Sequence, residues 1–279
     1  MPETPSSFDV KVFDGPAVVH SLPVGDASTF GQYSKEIFRQ WAYRQLQNCK
    51  RIDVVWDVYT TDSLKETTRE KRGKGVRKKV SAQIKLLKDF GAFLHDSTNK
   101  EGLFALLTED IEANDFPPDK VVCVTSGHSV VTKGSSDPMP ESDQEEADTR
   151  ICLHVADAAQ KGERMIMIRT IDMDVIDILI GIYFQLAKLH PGIQLWVAFG
   201  KGKNSRYFHI NSICSELGED RCCALPFFHA FTGSDTTSQF FGKDAGKLGR
   251  PFHLWQKHSR ILLWTHLIQW VSILDTFKP

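Results

Sequence analysis

The chain is expected to fold as an α/β protein with a central parallel sheet flanked by helices. Three observations carry that expectation. Short β-branched runs alternate with longer helical patterns along the chain. Two of the runs, Asp53-Val54-Val55-Trp56 and Met165-Ile166-Met167-Ile168, are nearly continuous in apolar character, as strands covered on both faces must be. The composition, 41% hydrophobic and 25% charged over 279 residues, is that of a globular chain able to bury a sizeable core.

Taken in order, the strands are expected at residues 10–13, 51–57, 120–125, 165–170 and 194–199. A turn at residues 200–204 leads to a short return at 206–210. Helical periodicity covers residues 28–48, where Phe30, Tyr33, Ile37, Phe38 and Trp41 share a side, and residues 80–95, with Ile84, Leu87 and Phe93. Residues 142–159 read as a helix opened by the capping box Ser142-x-x-Glu145 and closed by Gly162. A further helix over 175–189 is stopped near Pro191 and Gly192, and 225–231 continues the helical pattern. Linkers fall at 112–119, around Pro117 and Pro118, and at 133–143.

Lys plus Arg number 34 against 35 Asp plus Glu, so bulk positive charge is excluded as the means of attracting an acidic partner. Any affinity for nucleic acid must come from local patches. The first residues carry no basic region followed by an apolar one, and no apolar run is long enough to span a bilayer, which predicts a soluble intracellular protein without a membrane partner. Six cysteines without a Cys-x-x-Cys pair predict reduced, mostly buried thiols.

The acidic residues follow the strands in a pattern. In an open parallel sheet, ligands bind beyond the carboxyl ends of the strands. Asp14 follows the first strand, Asp57 closes the second, and Asp172 and Asp174 follow the run at 165–170. Glu146 and Asp148 open a helix, and Asp235 lies in Thr232-Gly233-Ser234-Asp235. Singly, such acids complement a helix dipole or cap a helix. Gathered together, they would repel by about 4 kcal/mol per pair at 4 Å and an effective dielectric of 20, so a cation would be needed. Oxygen-only ligands select Mg²⁺ or Mn²⁺, and a pair of such ions is suited to hydrolysis of a phosphodiester. Directly after Asp57, residues 65–88 hold ten Lys or Arg, Lys65 and Arg72 among them, against Glu66 and Glu70 alone. This run suits phosphate contact, a solvated face or a nuclear localisation signal.

In this order the motifs resemble the flap endonuclease, or 5′-nuclease, branch of the PIN-like superfamily. Val54-Val55-Trp56-Asp57 followed by Lys65 and Arg72 resembles its strand-Asp and basic arch. Glu146-Ala147-Asp148 resembles its Glu-x-Glu, with Asp in place of the second Glu, and Asp172-Met173-Asp174 its Asp-x-Asp loop. Leu217-Gly218 onward to Gly233-Ser234-Asp235 is similar to its entry into a helix-hairpin-helix, although Lys243-Asp244-Ala245-Gly246-Lys247 lacks the tight Gly-x-Gly hairpin. The stretch from Phe228 to Ser238 is also similar to uncharacterised, transposon-associated and Asteroid-like animal proteins of that superfamily.

The resemblance implies a domain over residues 1–249, with a basic arch at about 60–95, a hairpin-helix region at about 211–249 and an atypical helical tail at 250–279. It implies that Asp14, Asp57, Glu146, Asp148, Asp172, Asp174 and Asp235 hold two Mg²⁺ or Mn²⁺ ions, and that Lys65 and Arg72 contact the scissile phosphate. The activity implied is metal-dependent hydrolysis of branched or 5′-ended DNA or RNA. Two other readings stay open: an inactive PIN-like scaffold that binds nucleic acid or protein, and a haloacid-dehalogenase-type phosphatase with Asp172 as nucleophile. No histidine is assigned to catalysis; His154 and His229 read as core or boundary residues.

Overall fold

The computed structural model describes residues 3–58, 77–144, 146–202 and 205–232. Lys65, Arg72, Asp235 and the 250–279 tail lie outside the described residues, as does the part of the expected arch before residue 77. The described residues form a seven-stranded, mostly parallel sheet covered by helices. The strands are β1 (Val10–Asp14), β2 (Arg51–Val55), β3 (Val121–Ser126), β4 (Ser129–Lys133), β5 (Met165–Thr170), β6 (Gln194–Phe199) and β7 (Arg206–His209). Their spatial order is β4-β3-β2-β1-β5-β6-β7. The five inner strands are mutually parallel, while β4 and β7 are antiparallel edges.

Burial explains the central strands. β2 is buried at every position, and Val10, Val12, Ile166 and Ile168 are fully enclosed, so both faces of the middle of the sheet are covered. One face is closed by α1 (Gly15–Ser21), by the helical segment α2 at residues 30–46, and by α3 (Phe90–Phe93) and α4 (Ser97–Glu112). The other carries α5 (Ala147–Gln160), α6 (Met173–Leu189), α7 (Ile210–Leu217) and α8 (Glu219–Thr232).

Several boundaries differ from the sequence reading. The expected helix at 80–95 is largely irregular backbone: Gly31 and Phe30 donate to the carbonyls of Ala82 and Ile84, and Leu86 donates to Ser28, so tertiary hydrogen bonds satisfy this segment. Only Phe90–Phe93 is helical there, capped by Asp89. α1, α4 and β4 have no counterpart in the sequence reading. α4 has a weak amphipathic pattern because Asn99 and Thr108 are buried on its inner face. α5 begins at Ala147, later than the expected Ser142; Ser142 Oγ accepts from the Gln144 amide, and Glu145, the other half of the expected capping box, lies outside the described residues. α2 contains a π turn, Tyr33–Phe38, in its middle.

α5 is fastened to the sheet by buried charges. Arg51 on β2 donates twice to Asp53, at 2.6 Å each, and its third nitrogen lies 2.6 Å from Asp157 of α5. His154 of α5 lies 2.6 Å from the same Asp53. Burial works against ionisation of Asp53, yet the Arg51 guanidinium and the His154 hydrogen bond overcome it and hold the carboxyl down at about 2. His154 is thus a core residue, as its apolar neighbours in sequence suggest. Five of the six free cysteines are buried, the sixth, Cys223, being partly exposed.

α8 approaches α6 closely because position 181 is glycine. A Cβ there would stand 2.5 Å from the ring of Pro226, which lies inside α8. Among the described residues, no helix is long and apolar enough to cross a membrane.

Candidate active site

The sheet order reverses direction between β1 and β5, the place where an open α/β sheet forms a crevice at its carboxyl edge. A cleft of about 340 Å³ lies there, lined by Asp14, Asp57, Asp148 and Asp172, with His20, Ile171 and Val175 among its other walls. Each acid is delivered by a different local device.

Asp14 is the last residue of β1 and the N-cap of α1, accepting from the Ala17 amide at 3.1 Å. Its other oxygen accepts from the Thr170 hydroxyl at 2.9 Å, which ties the ends of β1 and β5 together. The side chain is 9% exposed. Burial pushes the carboxyl up to about 6; the Ala17 and Thr170 hydrogen bonds oppose the rise, and the charges of Asp57 and Asp172 add to it.

Asp57 stands two residues beyond β2 and accepts from the Ala147 amide at 3.1 Å, so it caps α5 from across the sheet. Its backbone is held rigidly. The Trp56 amide donates to Thr125 at 2.6 Å, the Trp56 indole donates to Thr108 at 3.1 Å, and the ring stacks on Phe104 with centroids 4.3 Å apart. Gly15 allows this ring its place, since a Cβ there would stand 2.1 Å from it.

Asp172 is the N-cap of α6 and accepts from the Asp174 amide at 2.9 Å. Its own amide donates to Thr170 Oγ1 at 3.0 Å, so Thr170 couples Asp14 to Asp172. Asp148 lies in the first turn of α5.

Glu146 and Asp174 stand apart from these four. Glu146 is the N-cap position of α5 and does not line the cleft. Asp174 faces α8, where His229 Nε2 lies 3.0 Å from it and His229 Nδ1 lies 3.3 Å from Asp177. Burial raises the Asp177 carboxyl; His229 opposes the rise, and Asp174 and Asp172 add to it. The histidine therefore bridges two helices through carboxylates, a role that its apolar sequence neighbours conceal.

Two further features were not legible in the sequence. Arg150, in the second turn of α5, buries its guanidinium beside Asp57 and reaches the Trp56 carbonyl. Its only advance signal is being the one Lys or Arg in a helix that opens on acids. Positive groups also gather at the rim. Desolvation and the neighbouring charges of Lys201, Lys100 and His95 hold the His20 imidazole below its usual range. Those residues come from the loop after β6, the start of α4 and the segment before it. Arg77 lies 3.9 Å from Asp96, and the Lys78 amide donates to Asn99 at 2.8 Å, which brings the end of the basic run to the same start of α4.

The four carboxylates of the cleft supply oxygen donors, which fit a hard divalent cation in kind, beside the imidazole of His20. Among the described residues, no three His, Cys, Asp or Glu side chains form a group that could hold a metal ion as they stand. No protein-family model matches the chain, and no curated protein matches it in sequence.

Proposed function

We propose that the chain is a PIN-like, divalent-metal-dependent nuclease that hydrolyses phosphodiester bonds of branched or 5′-ended nucleic acid. The observation that carries this reading is the meeting of Asp14, Asp57, Asp148 and Asp172, from separate elements, in one cleft at the reversal point of the sheet. Carboxylates placed so that burial and mutual repulsion keep Asp14 up at about 6 are a destabilising arrangement that a bound cation relieves.

Asp14, Asp57, Asp148 and Asp172 would hold Mg²⁺ or Mn²⁺, which when bound lowers the pKa of water and stabilises a leaving oxygen. The protein's own residues do the rest. Thr170 and the α1 and α5 amides hold Asp14 and Asp57 in place. Lys201 and Lys100, whose charges bear on His20 at the cleft wall, supply positive charge near the mouth, which suits a phosphate backbone. Ile171 and Met173, 40% and 47% exposed on either side of Asp172, offer apolar contact to unstacked bases. On the resemblance alone, Lys65 and Arg72 are assigned to the scissile phosphate, and Glu146, Asp174 and Asp235 to the metal-binding set.

The test is cleavage of fluorescent flap, single-stranded DNA and RNA substrates with Mg²⁺ or Mn²⁺. Wild type should cut at least one substrate, and Asp14→Asn with Asp172→Asn should lose at least a hundredfold of that rate. Cleavage by the double variant at the wild-type rate would refute the proposal. A second reading, a non-catalytic scaffold, is favoured by the turning of Asp174 toward His229. It requires nucleic-acid binding with the substrate left intact in every divalent ion.

A further inference from the structure

Arg51 and Arg150 are both buried, and their surroundings differ sharply. Arg51 spends its guanidinium on two carboxylates, Asp53 and Asp157, with nitrogen–oxygen distances of 2.6 Å. Arg150 is 1% exposed and is the largest of the fully buried side chains, yet among the described residues its side chain makes one hydrogen bond, Nη1 to the Trp56 carbonyl at 3.5 Å. Its Nη2 is enclosed without a hydrogen-bond partner among the described residues. A guanidinium left so poorly coordinated in a dry interior is expensive, and such a charge is sustained by opposite charge nearby.

That charge is Asp57. Ala147, whose amide Asp57 caps, lies one turn before Arg150 on α5, and the carbonyl that Arg150 meets belongs to the residue just before Asp57. The cation is thus held behind the cleft wall, and it acts on the cleft through Asp57.

We propose that Arg150 is the built-in counter-ion of the carboxylate cleft, taking the electrostatic place of one divalent cation so that the site accepts a single Mg²⁺ or Mn²⁺. The inference rests on the reading of Asp14, Asp57, Asp148 and Asp172 as the acidic site. A fixed positive charge behind Asp57 neutralises part of the field that would attract a second dication and repels one placed beside it. Arg150 is accordingly a positioning residue that does not touch substrate.

The test is Mn²⁺ binding to the full chain, followed by electron paramagnetic resonance and calorimetry on wild type, Arg150→Lys and Arg150→Met. Wild type and Arg150→Lys should each bind one Mn²⁺ per chain with affinities within about threefold. Arg150→Met should bind its first Mn²⁺ at least fivefold more tightly or take up a second. Two Mn²⁺ per wild-type chain, or unchanged affinity and count in a folded Arg150→Met, would overturn the counter-ion role and leave the metal reading standing. No binding by any of the three folded proteins would remove the metal reading and this inference with it. Should Arg150→Met fail to fold, the wild-type count decides, with Arg150→Lys as the charge-retaining control.

Discussion

Replacing Asp14 by Asn should make the protein more stable at neutral pH in the absence of divalent ions. The carboxyl, ordinarily at 3.8, is raised to about 6 in the folded chain. The folded state therefore binds the proton more tightly than the unfolded state. Stability from this group is fully present below about pH 4 and is lost as pH rises through about 6. At 1.36 kcal/mol per tenfold change, the ionised carboxylate costs about 3 kcal/mol at pH 7. Asparagine keeps an oxygen for the Ala17 amide and presents an NH₂ to the Thr170 hydroxyl, so part of the hydrogen bonding survives. Urea unfolding with EDTA at pH 4 to 8 should show a wild-type stability that falls relative to Asp14→Asn across pH 4 to 7. The variant should lead by about 1–3 kcal/mol at the upper end. Adding Mn²⁺ should reverse the order by stabilising wild type alone. Parallel pH curves, or a variant less stable than wild type at pH 7.5 in EDTA, would refute the argument that burial and carboxylate repulsion strain this site.

Other expectations follow from packing and charge. Asp53→Asn should cost about 3–5 kcal/mol at pH 7, because Arg51 and His154 lose a fully buried partner; denaturant midpoints measure it, and a loss under 1 kcal/mol would contradict the ion-pair account. Because the folded Asp53 carboxyl sits at about 2, its contribution is present above pH 3.8 and is lost as pH falls toward 2, so acid unfolding should shift upward in pH for the neighbouring variant Arg51→Met. Gly15→Ala should cost about 1–3 kcal/mol by pressing on the stacked Trp56 ring, with a change in tryptophan fluorescence. Tyr33→Phe should be neutral or stabilising by about 1 kcal/mol, since the buried Tyr33 hydroxyl has no hydrogen-bond partner among the described residues; clear destabilisation in thermal unfolding would show a partner for that hydroxyl.

The alternation of apolar strand and amphipathic helix was enough to place β1, β2, β3, β5 and β6, because strands covered on both faces leave continuous apolar runs such as Met165 to Ile168. The candidate acids were legible for a related reason. A residue just past a parallel strand lies at the sheet's carboxyl edge whatever the strand order, so Asp14, Asp57 and Asp172 could be named from local pattern alone. Local pattern failed at residues 80–95 and at α4. In the first, hydrogen bonds to Ser28, Phe30 and Gly31 replace helical ones, and in the second, buried polar residues blur the periodicity.

What only the tertiary structure decided is which charges meet. The strand order puts β1 beside β5, and Thr170 then joins Asp14 to Asp172. It also sends Asp57 across to cap α5, and with it brings Arg150 behind the acidic cleft. Asp172 and Asp174 are two residues apart in the chain, yet one lines the cleft and the other faces His229, because the first turn of a helix points successive side chains in different directions. Residue type and spacing therefore determined the sheet and the acids along its edge. Their pairing, burial and charge balance depend on contacts between segments far apart in sequence, which local hydrophobic periodicity does not encode.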